Sequence, residues 1–251
     1  TGKVSKNDIK HSFDIDSEDY AQNTKEVVLD GKTLRLKKFH PKMLMQIAKN
    51  PTVAMIAKRG SGKSTAIRAI MDFYRDIPGG NVISKTEKMS PFFSEFFSDL
   101  FIFYDYTTEV VQNLLDRQED IKDKRFKKEK RKKNPSTIDT RAWLIMDDCL
   151  AQKGKWAKDG PILEVFLNGR HYDLFFILTM QYPLGIGPDL RSNFDFIFIF
   201  FSNYITIQRK IWEQYAGMFD TFDSFKFVFN KCTTNFGCMV INNRVNSENI
   251  E

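Results

Sequence analysis

From Pro51 onward the chain alternates short apolar runs with segments of helical length, and several runs are apolar at nearly every position instead of every second one. Strands buried on both faces produce that pattern, and parallel strands joined by crossover helices bury both faces. The pattern predicts strands at Thr52–Ile56, Gly80–Ser84, Leu100–Tyr104, Ala142–Met146, Leu174–Met180 and Phe194–Phe201. Helices are expected at Lys63–Tyr74, Pro91–Ser98, Thr108 to about Lys122, Pro161–Arg170 and Ile205–Tyr215. Ahead of this region, Glu26–Leu29 and Lys32–Phe39 flank Asp30-Gly31, a dipeptide suited to a two-residue hairpin turn. Near the other end, Phe225–Asn230 and Gly237–Asn242 read as paired strands joined by a polar turn. The expected fold is α/β: a mainly parallel sheet flanked by helices, with an N-terminal β-hairpin and a C-terminal antiparallel addition. Its expected divisions are a flexible arm at 1–25, the hairpin and lead-in at 26–50, and one domain at 51–251 carrying a basic insert at 122–135.

Length and composition narrow the setting. The 251 residues suffice for one sizeable core. Three cysteines, Cys149, Cys232 and Cys238, suit reduced thiols in a cytosolic setting better than a disulfide framework. The longest strongly apolar run, Phe196–Phe201, is far short of the ~20 residues a membrane helix needs, and the polar start of the chain is unlike a signal peptide. A soluble protein, neither secreted nor membrane-spanning, is expected. The formal charge is +6, yet Lys122–Lys133 alone holds nine Lys/Arg against two acids, so the basicity is local. Such a run is commonly a solvated, partly disordered segment. The alternative is contact with nucleic-acid phosphates, with Lys127, Lys128, Lys130 and Arg131 supplying sequence-independent attraction. Phe126 is the sole aromatic there, too little to stack single-stranded bases, which favours a double strand.

One predicted strand leads into a glycine loop. Val53-Ala54-Met55-Ile56 precedes Gly60-Ser61-Gly62-Lys63-Ser64-Thr65, which opens a predicted helix. Gly60 and Gly62 allow backbone N–H groups to converge on phosphates, and the helix presents its positive dipole end there. Lys63 then neutralises the β- and γ-phosphates of ATP, and the Ser64 hydroxyl binds Mg²⁺. Ala57 stands where the usual pattern has its first glycine, a small change expected to leave binding intact.

Phosphate-bound Mg²⁺ calls for a carboxylate at the end of a buried strand, and Trp143–Met146 ends in Asp147-Asp148. Asp147 is the expected metal carboxylate. Asp148 is placed to orient or deprotonate the attacking water, with Glu87 or Glu164 as substitutes. One strand on, Phe175–Met180 ends in Gln181, which suits a hydrogen bond to the γ-phosphate or the lytic water. Arg170 ends the helix before that strand. It fits dipole compensation at a helix C-terminus, and equally an arginine that reaches a neighbouring subunit's nucleotide; Arg191 is its rival for the second role. Three scattered histidines form no metal cluster, and His171 reads as a packing or hydrogen-bonding residue.

Taken together, Ala57–Thr65, Leu144–Asp148, Asn168–His171, Gln181 and Asp189–Asn193 resemble the FtsK/HerA superfamily of DNA-pumping ATPases. Within it they look most like the poxvirus-type genome-packaging ATPases of large DNA viruses and virophages, over about Pro51–Asn242. That resemblance implies a RecA-like (ASCE) P-loop core with an inserted sensor strand and a pentameric or hexameric ring with an arginine acting in trans. It also implies double-stranded DNA as cargo, a capsid or internal-membrane protein as docking partner, and a place in the host cytoplasm and the virion. By position, Lys63, Ser64, Asp147, Asp148 and Gln181 inherit the nucleotide-site roles and Arg170 the trans role. Asp148, where many such ATPases carry Glu, recurs in the viral branch. A viral packaging motor is the leading reading. A cellular or plasmid DNA pump, a nucleotide-binding assembly scaffold with little turnover, and a P-loop kinase are the alternatives.

Overall fold

The computed structural model describes residues 24–29, 32–132, 137–149 and 153–244. The chain divides into two compact units, the second beginning at Pro41. The first contains a hairpin of β1 (Thr24–Leu29) and β2 (Lys32–Lys37), antiparallel with Leu29 opposite Lys32, as the Asp30-Gly31 signal predicts. Thr24 and Lys25, assigned above to the flexible arm, open β1.

The second unit begins with a short helix, α1 (Lys42–Ile47). It is built on a seven-stranded sheet of β3 (Thr52–Ile56), β4 (Gly80–Ser84), β5 (Ile102–Phe103), β6 (Ala142–Asp147), β7 (Leu174–Met180), β8 (Phe196–Phe200) and β9 (Cys238–Asn242). Their spatial order is β5-β4-β6-β7-β3-β8-β9, parallel throughout except for β9. Every residue of β3, β4, β6, β7 and β8 is buried, which explains why the apolar runs show no alternation. The crossover helices are α2 (Lys63–Phe73), α3 (Thr108–Lys132) and α5 (Gly160–Asn168), which a short α4 (Lys153–Trp156) precedes, and α7 (Ile205–Tyr215) follows β8. The short α6 (Pro188–Arg191) precedes β8, and α8 (Phe222–Cys232) leads to β9. Phe166 of α5 packs edge-on against Phe176 and Phe194, and Trp143 stacks on Phe175, so aromatic rings fill much of the interface.

Four expectations need correction. The segment Phe225–Asn230 is not a strand but part of α8, and β9 instead pairs antiparallel with β8. Phe225, Phe227 and Phe229 mimic strand alternation, yet the buried face is Phe225, Val228 and Phe229, a helical spacing. Thr221 caps that helix by accepting the Ser224 N–H at 3.2 Å. The predicted helix Pro91–Ser98 shrinks to a 3₁₀ turn at Phe93–Glu95, because the buried Glu87 carboxylate takes the N–H groups of Phe92 (2.8 Å) and Ser94 (3.0 Å). The strand expected at Leu100–Tyr104 is only Ile102–Phe103, after a 3₁₀ turn at Asp99–Phe101. Finally, the basic insert does not break the chain after Lys122: α3 runs on through Lys132, and 133–136 lie outside the described residues. Lys, Arg and Glu are good helix formers, and the pairs Asp123–Lys127 and Arg125–Glu129 sit at the stabilising i,i+4 spacing.

At the other end of its packed half, α3 is pinned by Gln118. This side chain is fully buried and donates to the carbonyls of Thr140 (2.6 Å) and Tyr172 (2.8 Å).

Candidate active site

The glycine loop joins β3 to α2 at the carboxyl edge of the sheet. Gly60 (φ 72°) and Gly62 (φ 99°) both take left-handed backbone, which L residues rarely adopt, so the loop's path requires them. Gly62 is the N-cap of α2. At the loop entry, the Ala57 N–H donates to the Met180 carbonyl at 2.9 Å, so the methyl at this position leaves the loop hydrogen-bonded to β7. Ser61 Oγ closes the loop on itself by donating to the Lys58 carbonyl at 2.7 Å.

Lys63 lies between two other strands. Its Nζ donates to Asp147 Oδ1 at 2.8 Å and to Thr179 Oγ1 at 3.2 Å. Asp147 ends β6, and it is largely buried. Its second oxygen, Oδ2, accepts from Ser84 Oγ at 3.4 Å. Ser64 and Asp147 line one cleft of about 350 Å³, together with Thr86, Glu87, Ser90 and Phe92. One hydroxyl and one carboxylate facing the same space fit a Mg²⁺ that completes its shell with water and phosphate oxygen, as this ion commonly does. Among the described residues no cluster of three or more His, Cys, Asp or Glu side chains could hold a metal alone.

Asp148 has left-handed backbone (φ 57°), which turns its carboxylate toward β7, where Oδ2 accepts from Gln181 Nε2. Both residues therefore meet at the carboxyl edge, as expected. The connection runs through a residue that sequence reasoning did not single out. Thr179 is fully buried; its hydroxyl donates to Asp147 Oδ1 (2.7 Å) and accepts from the Asp148 N–H (3.0 Å) and from Lys63. Its only signal in the sequence is one hydroxyl in an otherwise apolar strand. Beside the acids, burial and then the charges of Asp147 and Asp148 push the Cys149 thiol up to about 12, so it stays protonated at neutral pH.

The two substitute carboxylates are differently placed. Glu87 lines the cleft, but one of its oxygens holds the Phe92–Ser94 turn. Glu164 accepts from Asn168 Nδ2 (3.0 Å) and Tyr172 Oη (3.1 Å) near the start of β7, at the opposite edge.

The arginines separate clearly. Arg170 is exposed, in a 3₁₀ turn at Gly169–Tyr172 just before β7. The seven residues of β7 span about 20 Å, which puts Arg170 far from Gln181 and out of reach of the phosphate loop of its own chain. Arg191 instead turns inward. Its guanidinium lies 5.6 Å from the Tyr215 ring centre, and its buried Nη1 has no hydrogen-bond partner among the described residues. His171, expected to pack or to hydrogen-bond, is exposed, which goes against packing; its backbone carbonyl accepts from Lys122 Nζ. That contact places Lys122, where the basic half of α3 begins, at the amino edge by the turn of Arg170, and the helix runs on from it. There Lys130 and Arg131 are exposed, Lys128 is partly so, and Lys127 pairs with Asp123.

No known family profile matches the chain. It is 47% identical over 202 residues to an uncharacterized protein of Acanthamoeba polyphaga mimivirus, covering 80% of this chain and 70% of that one. An uncharacterized protein of Invertebrate iridescent virus 6 is 33% identical, over 76% of this chain and 70% of its own length. Among solved structures, the genome packaging NTPase B204 from Sulfolobus turreted icosahedral virus 2, in complex with AMP, superposes with a TM-score of 0.54 at 15% identity, over 81% of this chain and 94% of that one. At that identity the likeness establishes the fold, a P-loop NTPase sheet with β7 between the loop strand β3 and the acid strand β6. By sequence, the chain belongs to the family of large-DNA-virus proteins that includes these mimivirus and iridescent virus members.

Proposed function

We propose that this chain is an ATPase that drives double-stranded viral DNA into a preformed capsid. The observation that carries this reading is the linked set of Lys63, Asp147, Thr179, Asp148 and Gln181 at one sheet edge, while Arg170 stands at the other. Such a set is able to hydrolyse a phosphoanhydride and draws its remaining cation from a second subunit. The viral relatives and the fold shared with a packaging NTPase favour genome packaging over a cellular DNA pump.

In this reading the loop N–H groups of Gly60–Thr65 bind the phosphates, and Lys63 exchanges Asp147 for the β- and γ-phosphate oxygens. Asp147 and the Ser64 hydroxyl are then free to hold Mg²⁺, which when bound neutralises charge building up on the phosphate oxygens. Asp148 accepts the proton of the attacking water, and Gln181 orients that water through the amide that now contacts Asp148. Glu87 is second choice as base, since it lines the cleft with one oxygen committed to the turn. Arg170 stabilises the transferring phosphoryl group of the next subunit in a pentameric or hexameric ring. Lys127, Lys128, Lys130 and Arg131 contact duplex phosphates without reading sequence. A capsid or internal-membrane protein docks the ring, in the host cytoplasm where virions assemble.

The test is ATP turnover by the purified protein with and without duplex DNA. We expect DNA to stimulate hydrolysis and Lys63→Ala to abolish it. Turnover that ignores DNA would favour a scaffold, and turnover that survives Lys63→Ala would remove the site.

A further inference from the structure

Gly62 and Lys63 are neighbours in the chain but face opposite flanks of β3. Lys63 reaches toward β6 and β7, where Asp147 and Thr179 hold its ammonium. Gly62 faces β8 and the turn before β9: a Cβ on it would stand 3.5 Å from the Phe236 carbonyl oxygen and 3.9 Å from the Phe200 ring. A phosphate chain whose terminal group sits at Lys63 and Asp147 runs back across the loop, and its nucleoside end emerges on the β8–β9 flank.

That flank is aromatic. Phe236 is 79% exposed and Phe201, just past β8, is 40% exposed. Lys58 of the loop lies 5.1 Å from the Phe201 ring centre and donates to Asn203 Oδ1 at 3.1 Å, so the phosphate loop and the end of β8 form one continuous surface. Phe236 is also held in left-handed backbone (φ 61°), directly after Asn235 (φ 51°). For a bulky residue this is a genuine outlier, and such conformations concentrate at ligand clamps. A ring with no role at the surface would lower its free energy by turning inward; here the backbone holds it out, beside the phosphate loop.

We infer that Phe236 is the platform on which the nucleobase stacks, and that it favours purine nucleotides, whose larger π face gains more from an aromatic partner. This rests on the reading of Gly60–Thr65 as the phosphate cradle. Stacking is sequence-tolerant among bases but absent for a ligand without a base, which gives the experiment its control. Affinities for ATP, CTP and inorganic tripolyphosphate are measured by calorimetry in the unaltered protein and in Phe236→Ala, Phe236→Tyr and Lys63→Ala. Phe236→Ala should weaken ATP binding about tenfold, weaken CTP less, and leave tripolyphosphate unchanged, while Phe236→Tyr retains ATP affinity. Equal ATP affinity in Phe236→Ala would overturn the platform, as would an equal loss for ATP and tripolyphosphate, which would make the turn a mere support for the loop. Lys63→Ala should weaken both ligands together. If it leaves both unchanged, the cradle reading itself fails, an outcome distinct from failure of the platform alone.

Discussion

Asp148 and Asp173 are the same residue in nearly the same backbone conformation (φ 57° and 55°), at opposite ends of the adjacent strands β6 and β7. Their surroundings differ. Asp173, at the amino edge, is buried and saturated: it accepts from Asn50 Nδ2 (2.9 Å) and Thr140 Oγ1 (2.7 Å) and faces Lys49 and Lys122, each at 3.5 Å. Burial opposes its ionisation, but the Thr140 hydroxyl and the two lysines outweigh that and hold it below the usual carboxylate range. Asp148, at the carboxyl edge, is only partly buried, and its side-chain bond is to the exposed Gln181. A carboxylate whose lone pairs are all taken fixes a turn; one with a single partner among the described residues keeps lone pairs open to a ligand. The same left-handed aspartate thus holds a turn at one edge and, in the proposed mechanism, takes the water's proton at the other.

The sharpest test of the division between edges uses Arg170, which the Asp173 turn presents and whose carbonyl accepts from Asn50 at 3.4 Å. Arg170→Ala should lower turnover by roughly 10³- to 10⁵-fold while nucleotide still binds. Mixing it with inactive Lys63→Ala should restore some activity in mixed rings. No recovery in rings shown to be mixed would return Arg170 to dipole compensation.

Next in size, Asp148→Asn should slow hydrolysis by about 10²- to 10⁴-fold with ATP affinity and melting temperature nearly unchanged. Normal turnover would move the base to Glu87.

The counterpart Asp173→Ala should behave oppositely, losing about 3 kcal/mol of stability because Asn50 and Thr140 are left unpaired and a left-handed alanine is strained. Denaturant unfolding measures it. The sign with pH follows from the lowered ionisation range of Asp173: its contribution is present above the unfolded value near ~3.9 and is lost as pH falls through the lower folded value. Asp173→Asn should therefore flatten the acid limb of the stability curve.

The smallest effect belongs to the basic half of α3. Neutralising Lys127, Lys128, Lys130 and Arg131 should weaken unrelated duplexes about equally and reduce the log-affinity against log-salt slope by up to ~0.9 per lost contact. An unchanged slope would make it a solvated helix.

Continuous apolar runs made β3, β6, β7 and β8 legible, because burial on both faces erases alternation, and a glycine loop after such a strand marked the phosphate loop. The site was less complete: Asp147, Asp148 and Gln181 stand out as polar residues at strand ends, whereas Thr179 is a hydroxyl inside a strand and its role depends on which strands are neighbours. Sequence order alone does not reveal that β7 lies between β3 and β6, an inserted strand that only the family resemblance implies. The phenylalanines of α8 fit two periods at once, and only the sheet face they cover decides between them. Inside the basic insert, charge suggested disorder, whereas helix propensity and i,i+4 pairing prevailed.

The pinned position of Gln118 gives α3 a mechanical character. From Lys122, which also bonds the amino-edge turn, to Lys132 the helix extends by about 15 Å at the usual rise per residue. Over such an arm, a swing of roughly 10° carries the cationic tip about 2.6 Å. Gln118 bonds the carbonyl of Tyr172, in the turn that presents Arg170, so a displacement of that turn would reach the tip amplified by the length of the rod.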